Sequence, residues 1–436
     1  MRLSSLRFSF FSRSFLILAG ILIFSLLIRV WRLDQPLTWY FDEAYHVPAV
    51  RLIAENDPRV FEWWHGPIYG QSNHDWLHPP LAKYLQAGSV KVLGNNSFAW
   101  RLPSAIFGTL LVFLTYCLAW KLFNKQSLAL LAAWLVSLDG LVLVQSRLAM
   151  NDVFVSCFWL ASLIAFYDWL QQKKPSKLVL TGLSVGLGLA SKWTMVFGWV
   201  GIIGWLLIDH FFSSSPAASL QRKTRQLPLV IFSLVLFPAA VYFASYLPMF
   251  FQGKNLGNWI ELHRQIWLYQ ANRDLNHAYS SQPWEWFFNL RPVWYWHEQR
   301  AGLNSNLTAN IYALGNPVFH ALGWLGLAGL STSIFSLKNE TKKKLFLVGS
   351  YFVIWLPWIF SPRIMFYYHY LPGVALLAII AAWFLQTQVW PRSKLAVVGT
   401  GLLTLLAFLI FIPHWTGLAI PKLWAERIYF LLESWR

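Results

Sequence analysis

Charged residues are scarce in this chain. Asp, Glu, Lys and Arg together make up 12% of its 436 residues, whereas soluble domains contain about a quarter. Hydrophobic residues account for 57% of the sequence, and the mean hydropathy is +0.45. This composition excludes an ordinary soluble domain and indicates an all-α protein that crosses a membrane several times.

Cysteines are few, and glycine-rich phosphate loops are missing. The two cysteines, Cys117 and Cys157, lie in apolar runs, so we expect no disulfide framework. There is no CxxC pair and no His/Cys cluster at metal-binding spacing, which argues against a structural zinc site. GxGxxG and GK[ST] motifs do not occur. The glycine-rich run GLSVGLGLASK lies in an apolar stretch, where close helix packing explains it better than phosphate binding.

Long apolar stretches dominate the sequence. A membrane-spanning helix needs roughly 20 mostly apolar residues. We predict about eleven spans, near 14–31, 102–123, 127–145, 151–170, 178–194, 196–213, 228–250, 316–336, 344–361, 367–386 and 395–413. If the N-terminus is cytoplasmic, the inner side carries 17 of the 35 Lys and Arg residues but three of the 18 acids. The positive-inside rule requires this bias, so the net charge of +17 is mostly a topology signal and not a nucleic-acid footprint.

Two long segments, 32–100 and 251–315, are then predicted to face outward and to carry interfacial helices. Both are rich in Trp, Tyr, His and paired charges. We interpret residues 1–436 as a single transmembrane domain, because the second loop is too short to hold a further domain.

Two adjacent carboxylates stand among aromatic residues in the first loop, in LTWYFDEAYHVPAV. Asp42 and Glu43 could be surface acids of a solvated loop. They could instead include a general base, because burial beside low-dielectric groups tunes a carboxylate for proton transfer. The pair alone does not decide between these interpretations.

Further ionisable residues are predicted at the outer ends of spans, on the same side as the acidic pair: Arg101, Asp139, Arg147, Asp152, Lys192, Arg363 and His369. Each could be an interface anchor or a snorkelling side chain, yet ionisable groups at this depth are often functional. In the first loop, HPPLAKYL begins a helix with Lys83 in its first turn. That lysine and the helix dipole could hold a phosphate, or the helix could lie on the membrane surface.

The second loop contains NHAYSSQPWEWFFNLRPVWYW, whose rings suit either the membrane interface or a platform for sugars and isoprenyl chains. Its candidate acceptor-contacting residues are His277, Trp284 and Arg291, together with His369, and a role in stabilising the loop is equally open. A carboxylate with several cations suits sugar transfer from a phosphate-linked donor. The carboxylate accepts the hydroxyl proton, and the cations stabilise the leaving phosphate. A membrane protein can take such a donor from the bilayer as a polyprenyl phosphate.

Seven motifs in order make the chain resemble the protein O-mannosyltransferases, lipid-dependent glycosyltransferases of C-type architecture. The motifs are FDEAYH, HPPLAKYL, RLPSAIFGTL, LDGLVLVQSRLAMNDVF, GLSVGLGLASKW, NHAYSSQPWEWFFNLRPVWYW and SPRIMFYYHYLP. The resemblance implies an inverting enzyme that moves mannose from a polyprenyl phosphate to Ser or Thr hydroxyls of exported proteins. It implies that Asp42 acts on the acceptor hydroxyl and that Glu43 supports the site.

The resemblance also implies a donor site and a cellular setting. The motifs place His78, Lys83, Arg101, Arg147 and Asp152 at the donor phosphate. Lys192 and Arg363, the further cations at outer span ends, complete the expected donor-phosphate residues. No cofactor is required, although a divalent cation near Glu43 stays an open expectation. We expect a bacterial plasma-membrane enzyme whose site faces outward. Its partners are then the lipid bilayer, the donor and an exported acceptor protein, with a translocon as a further candidate and no nucleic acid.

Two other interpretations stay open. Related bacterial enzymes share the fold and an acidic pair but transfer aminoarabinose to lipid A, and their motif has Lys where this chain has His78. Another polyprenyl-linked sugar, or a lipid or cell-wall acceptor, is therefore the alternative. A transporter would require charges buried in mid-span and repeat symmetry, whereas the charges here gather at span ends.

Overall fold

The computed structural model describes residues 12–66, 73–212, 227–272, 276–299, 306–333, 340–430 and 432–435, and most of them are helical. The main helices are α1 (Arg13–Val30), α2 (Glu43–Ala54), α3 (Leu81–Leu93), α4 (Ser97–Phe123), α5 (Gln126–Ser137), α6 (Gly140–Gln145), α7 (Asp152–Gln172), α8 (Pro175–Leu189), α9 (Met195–Phe212), α10 (Leu227–Ala244), α11 (Leu247–Phe251), α12 (Leu256–Gln270), α13 (Pro283–Phe287), α14 (Pro317–Ser333), α15 (Thr341–Trp355), α16 (Leu371–Phe384) and α17 (Lys394–Thr416). Short 3₁₀ turns lie at Pro58–Phe61, Leu356–Phe360 and Tyr367–Tyr370.

Seven helical segments in the described parts are long and apolar enough to cross a membrane: Arg13–Val30, Ser97–Phe123, Asp152–Gln172, Leu227–Ala244, Thr341–Phe360, Tyr367–Val389 and Lys394–Thr416. Shorter apolar helices occupy Gln126–Ser137, Pro175–Leu189 and Met195–Asp209. Helices lie in every stretch that the hydropathy predicts to span. The multi-pass helical membrane fold is therefore confirmed, while the number of eleven spans stays a prediction.

Burial separates the central helices from the peripheral ones. All residues of α16 from Leu371 to Trp383 are buried, and α16 packs against α5, α7, α14 and α15. A helix that is apolar all round and surrounded by others forms the core of such a bundle. By contrast, α1 and α17 are apolar, yet only 22% and 28% of their span residues are buried inside the protein. Their exposed faces suit lipid contact.

One predicted span is divided into two helices. The predicted 127–145 stretch contains α5, which ends at Ser137, and the short α6. Asp139 stands between them and accepts hydrogen bonds from the backbone N–H groups of Val142 and Asn316, each at 2.9 Å. Asp139 thus caps α6 and joins it to the start of α14. The predicted fifth and sixth spans are separate helices, α8 and α9, with residues 190–194 between them.

The second long loop contains a small β-sheet in addition to its helices, which the all-helical prediction did not include. Strands β1 (Val293–Gln299) and β2 (Leu307–Ala313) pair antiparallel, and β3 (Ile420–Pro421) pairs with β2. The register runs from Val293 opposite Ala313 to Gln299 opposite Thr308 and is irregular between Trp294 and Trp296. The aromatic run VWYW favours strand over helix. The sheet ties the loop to the C-terminal segment.

Candidate active site

A sharp turn presents the acidic pair at the start of α2. Phe41 adopts the left-handed conformation with φ +53°, and α2 begins at Glu43. Asp42 is the N-cap residue, but its side chain makes no capping hydrogen bond. Consecutive residues point about 100° apart around a helix, so the two carboxylates face different surroundings. The turn therefore separates the roles of two neighbouring acids.

Glu43 is fully buried and its carboxylate is occupied. Arg101 donates from Nε to Oε1 at 2.8 Å and from Nη2 to Oε2 at 2.7 Å. The backbone N–H of Ala149 donates to Oε1 at 2.9 Å, and that of Tyr40 to Oε2 at 3.4 Å. With both oxygens taken, Glu43 has no coordination position left for a metal ion. The expected divalent cation near Glu43 stays a prediction, and it would need ligand atoms other than the two occupied oxygens of Glu43.

Arg101 is also fully used. Beside its two bonds to Glu43, its guanidinium donates to the carbonyls of Leu33, Pro36 and Thr38. Its five N–H groups therefore all have acceptors within the protein, and the residue is buried. The predicted contact of Arg101 with a donor phosphate stays a prediction, and it would require one of these five hydrogen bonds to be exchanged. Arg101 holds the loop that leads into α2.

Asp42 lies beside the Glu43–Arg101 pair, and in the described parts of the chain its carboxylate accepts one long side-chain hydrogen bond. It is half-buried, and the Tyr368 hydroxyl is 3.5 Å from its Oδ2. Phe41 stacks on Tyr295 with ring centres 3.9 Å apart, which closes one side. Burial raises the pKa of Asp42, while the charges of His46 and Lys192 oppose the rise. A carboxylate with a raised pKa in a partly open position has the properties of a general base.

Lys192 and Asp152 complete the charged surroundings of Asp42. Lys192 lies between α8 and α9 and donates to Asp152 Oδ1 at 2.7 Å. Its ammonium group is 5.3 Å from the centre of the Tyr368 ring, and Tyr368 in turn faces Asp42. The second oxygen of Asp152 is buried without a hydrogen-bond partner in the described parts of the chain. The structure thus brings three sequence-predicted residues, Asp42, Lys192 and Asp152, into one site.

A second cluster centres on Asp75, which the sequence analysis missed. Lys83 lies 2.8 Å from Asp75 Oδ2, and His46 and His78 also reach this carboxylate. The backbone N–H of Asp75 donates to the carbonyl of Tyr45, which attaches the cluster to α2. Burial alone would raise the pKa of Asp75, but the surrounding His78, Lys83 and His46 hold it well below its usual range. An acid between His74 and the HPP motif was the available sequence signal.

Lys83 is buried, so its predicted phosphate contact depends on a neighbouring cavity. Lys83 also donates to the carbonyl of His78 at 3.0 Å. The cavity beside it is lined by Val60, Phe61, Asp75, Trp76, His78, Pro80, Lys83, Tyr246 and Leu262. The predicted donor role of His78 and Lys83 stays a prediction.

Arg147 lies away from Asp42 in a structural position. Its two terminal nitrogens donate to four carbonyls at the end of α1, those of Ile28, Arg29, Trp31 and Arg32. A cation that satisfies the last carbonyls of a helix also complements the helix dipole. The donor-phosphate contact expected for Arg147 stays a prediction, and Nη1 is already used by carbonyls of the chain itself.

The acceptor candidates of the second loop are spread out. His369 stacks against Tyr368, with ring centres 4.6 Å apart, and so borders the site. His277 accepts from the N–H of Tyr279, and Arg291 donates to the carbonyl of Ala278 at 2.7 Å. These two contacts stabilise the loop. Trp284 is 58% exposed, which leaves its ring free for lipid or ligand.

Arg363, predicted to contact the donor phosphate, packs against α12. Its guanidinium lies 4.7 Å from the centre of the Tyr269 ring and donates to the side chain of Gln270. Tyr368 and His369, which border Asp42, follow Arg363 by five and six positions in the chain. Arg363 is therefore at the edge of the site.

Two family models cover most of the chain. "Dolichyl-phosphate-mannose-protein mannosyltransferase" matches residues 77–243, and "C-terminal four TMM region of protein-O-mannosyltransferase" matches residues 255–435. The chain belongs to the protein O-mannosyltransferase family. It is 25% identical to the polyprenol-phosphate-mannose–protein mannosyltransferase of Corynebacterium glutamicum, over 96% of this chain and 93% of that one. It is 26% identical to the enzyme of the same name from Mycobacterium tuberculosis, over 77% and 73%.

Solved structures share the fold of this mannosyltransferase-family chain. The Saccharomyces cerevisiae protein O-mannosyltransferase Pmt1–Pmt2 complex bound to the sugar donor matches with a TM-score of 0.81 at 15% identity, over 98% of this chain and 93% of that one. ArnT from Cupriavidus metallidurans bound to undecaprenyl phosphate matches with a TM-score of 0.59 at 14% identity, over 89% and 62%. The C-type glycosyltransferase architecture predicted from the motifs is confirmed.

Proposed function

We propose that this protein transfers mannose from a polyprenyl-phosphate donor to Ser or Thr hydroxyls of exported proteins, with inversion at the sugar. One observation carries the assignment of chemistry: Asp42 has a half-buried carboxylate beside the Lys192–Asp152 pair, and among the described residues it accepts one long hydrogen bond, from Tyr368, and forms no ion pair. The names and the coverage of the relatives support mannose as the sugar and protein as the acceptor.

The proposed reaction is one displacement. Asp42 takes the proton of the acceptor hydroxyl while its oxygen attacks the anomeric carbon of the sugar. The bond between that carbon and the phosphate oxygen breaks, and the electron pair leaves with the polyprenyl phosphate. Attack from the face opposite the leaving group inverts the configuration. Lys192 is the cation in the site that can stabilise the charge on the departing phosphate.

Glu43 and Arg101 act as positioning residues in this scheme. Their buried pair fixes the first turn of α2, and Asp42 precedes that turn. A base must lie within hydrogen-bond reach of the proton that it takes, so a small shift of the turn would cost rate. The acid pair thus supplies one base and one anchor.

The test is sugar transfer by the full chain in lipid. Donors would be polyprenyl-phosphate mannose and the same lipid carrying aminoarabinose. Acceptors would be a Ser/Thr-rich peptide, its Ala-substituted control and lipid A. We expect mannose on the Ser/Thr peptide alone. Aminoarabinose on lipid A, with no mannosyl peptide, would replace this proposal with the alternative sugar and acceptor.

We propose that residues 1–436 form one transferase domain in a bacterial plasma membrane, with a cytoplasmic N-terminus and both long loops outside. The charge bias of the predicted inner segments supports this orientation.

The orientation can be tested with single cysteines, because both native cysteines are buried. An impermeant thiol reagent should label Trp284→Cys from outside and Lys125→Cys only after the membrane is opened. The reverse pattern would invert the topology. Association with a translocon is a further proposal, testable by co-purification with the exported acceptor.

A further inference from the structure

Three side chains with metal-binding atoms converge one turn beyond the acidic pair. His46 Nδ1 lies 3.1 Å from Asp75 Oδ2, and His78 Nδ1 lies 3.0 Å from Asp75 Oδ1. One such atom from each residue lies within 4.8 Å of the other two. His46 comes from α2, whereas Asp75 and His78 precede α3, so 29 residues of sequence separate the first two ligands. No local spacing motif reveals the cluster.

The cluster is enclosed and incompletely satisfied. His46 and Asp75 are 3% and 4% exposed. The Nδ1 atom of His46 has no hydrogen bond of acceptable geometry in the described parts of the chain, although it faces the carboxylate. An unpaired buried ring nitrogen costs free energy. A small cavity borders Asp75, His78 and Lys83.

We propose that His46, Asp75 and His78 bind one divalent transition-metal ion of the zinc class. Two imidazoles and one carboxylate are ligands that Zn²⁺ and its first-row neighbours favour, whereas Mg²⁺ and Ca²⁺ require oxygen ligands. Bonds of about 2.0–2.2 Å in a tetrahedral arrangement put neighbouring ligand atoms roughly 3.3 Å apart. The Nδ1 atoms of His46 and His78 each lie 3.1 Å from Asp75 Oδ2, which is close to this spacing, and a water can take the fourth position.

Lys83 and the proposed ion would both bind the carboxylate of Asp75. Its ammonium lies 2.8 Å from Asp75 Oδ2, and the carbonyl of His78 is its second acceptor. His46, His78 and Lys83 all lie within 3.1 Å of Asp75 Oδ2, so an ion on that oxygen would require the Lys83 ammonium to move to Oδ1 or to keep only the carbonyl of His78. A hydrogen bond to a ligating carboxylate orients that ligand, as partners outside the ligand set do in many metal sites.

The ion would join α2 to the segment before α3. Asp42 and His46 are one turn apart on the same helix, so the ion would fix the helix that carries Asp42. The site is distinct from the position near Glu43 expected from the sequence. The inference stands independently of which sugar and acceptor the enzyme uses.

The experiment measures Co²⁺ binding by visible absorption, with Zn²⁺ competition, on the full chain in lipid nanodiscs after chelator treatment. We expect one ion per chain. His46→Gln and His78→Gln should each weaken binding at least about tenfold, since even partners outside the ligand set change affinity 10–100-fold. The matched control is His65→Gln, which removes a histidine of the same loop that pairs with Glu62 outside the cluster and should leave binding unchanged.

Size-exclusion chromatography and the Tm show whether each variant is folded. If one His variant fails to fold, the other still tests the proposal. Absence of stoichiometric binding by folded wild-type protein would overturn the proposal. Binding that survives in both His variants, or that depends on His65, would overturn it equally. Because the readout is the ion and not mannose transfer, this outcome and the outcome of the transfer assay are separate.

Discussion

At the scale of single residues, two adjacent acids differ because their surroundings differ. Glu43 meets a guanidinium and two backbone N–H groups, which satisfy both oxygens. Asp42 meets a hydroxyl at 3.5 Å, and within the described residues it forms no ion pair. The satisfied carboxylate of Glu43 suits a structural anchor, whereas the less occupied carboxylate of Asp42 suits a general base. The sequence presents them as equivalent neighbours, and the turn at Phe41 makes them different.

The pH dependence of transfer should depend on Lys192. Burial raises the pKa of Asp42 and Lys192 lowers it. The base acts as the carboxylate, so the rate should rise with pH through that pKa. Lys192→Gln removes the opposing charge, and the rising limb should move to higher pH while the maximal rate falls. Lys121→Gln, which breaks a pair with Asp168 elsewhere, is the control. If the rate of Lys192→Gln rose over the same pH range as that of wild type, Lys192 would not influence the pKa of Asp42.

Two Asp→Asn changes should alter stability with opposite signs at neutral pH. The pKa of Asp42 is raised in the folded state, so its ionisation opposes folding above that pKa. Asp42→Asn should leave the Tm equal or higher, and the difference should vanish as pH falls and Asp42 protonates. Asp75→Asn instead leaves the buried Lys83 without its carboxylate, which typically costs about 3–5 kcal/mol. Thermal unfolding measures both, and a marked loss of Tm in Asp42→Asn would contradict the account.

Part of the site could be predicted from the sequence, and part could not. Asp42, Asp152 and Lys192 were predictable because they are charged residues near the predicted outer ends of spans. The structure brings these three residues into one site. Arg101 and Arg147 look the same in the sequence, but their acceptors are mostly backbone carbonyls, which residue types do not reveal. Asp75 was missed because its partners, His46 among them, come from another element.

At the scale of elements, Arg101 organises the loop before α2. It joins α4 to the carbonyls of Leu33, Pro36 and Thr38 and to Glu43. Arg101→Gln should reduce the free energy of unfolding by about 3–5 kcal/mol, because Glu43 would remain buried without its partner. Denaturant titration, with Glu43→Gln and the double variant, gives the coupling energy. Unchanged stability with weaker donor binding alone would restore the phosphate role to Arg101.

Helix packing depends on Gly182. A Cβ atom at Gly182 in α8 would lie 1.7 Å from the carbonyl oxygen of Ser233 in α10. Gly182→Ala must therefore push the helices apart and should cost about 1–3 kcal/mol. The matched control is Gly204→Ala in α9, where no atom lies within 4 Å and the change should be neutral or slightly stabilising. Equal effects in thermal unfolding would refute this close contact.

The helices were predictable because roughly 20 apolar residues carry a strong signal. The sheet was not predictable, because β1 and β2 belong to a loop whose aromatic residues equally suit the membrane interface. Strand β3 is two residues long and lies more than 100 positions after β2. Pairing between distant short segments leaves no periodic pattern in the sequence.

At the scale of the whole molecule, the helical bundle places one buried network of charges beside one open carboxylate. The chain matches a yeast protein O-mannosyltransferase structure over 98% of its length, and named mannosyltransferases from two actinobacteria align over most of it. The general architecture is therefore shared, and we propose that the residues around Asp42 determine the chemistry of this member.

The most direct test is mannose transfer from polyprenyl-phosphate mannose to a Ser/Thr-rich peptide, comparing wild type with Asp42→Asn in the same lipid. The account predicts a loss of at least about a hundredfold, the lower bound typical of a removed general base, with donor binding and Tm retained. Lys121→Gln should transfer normally as the control. An Asp42→Asn protein that turns over at the wild-type rate would contradict the central claim that Asp42 is the base.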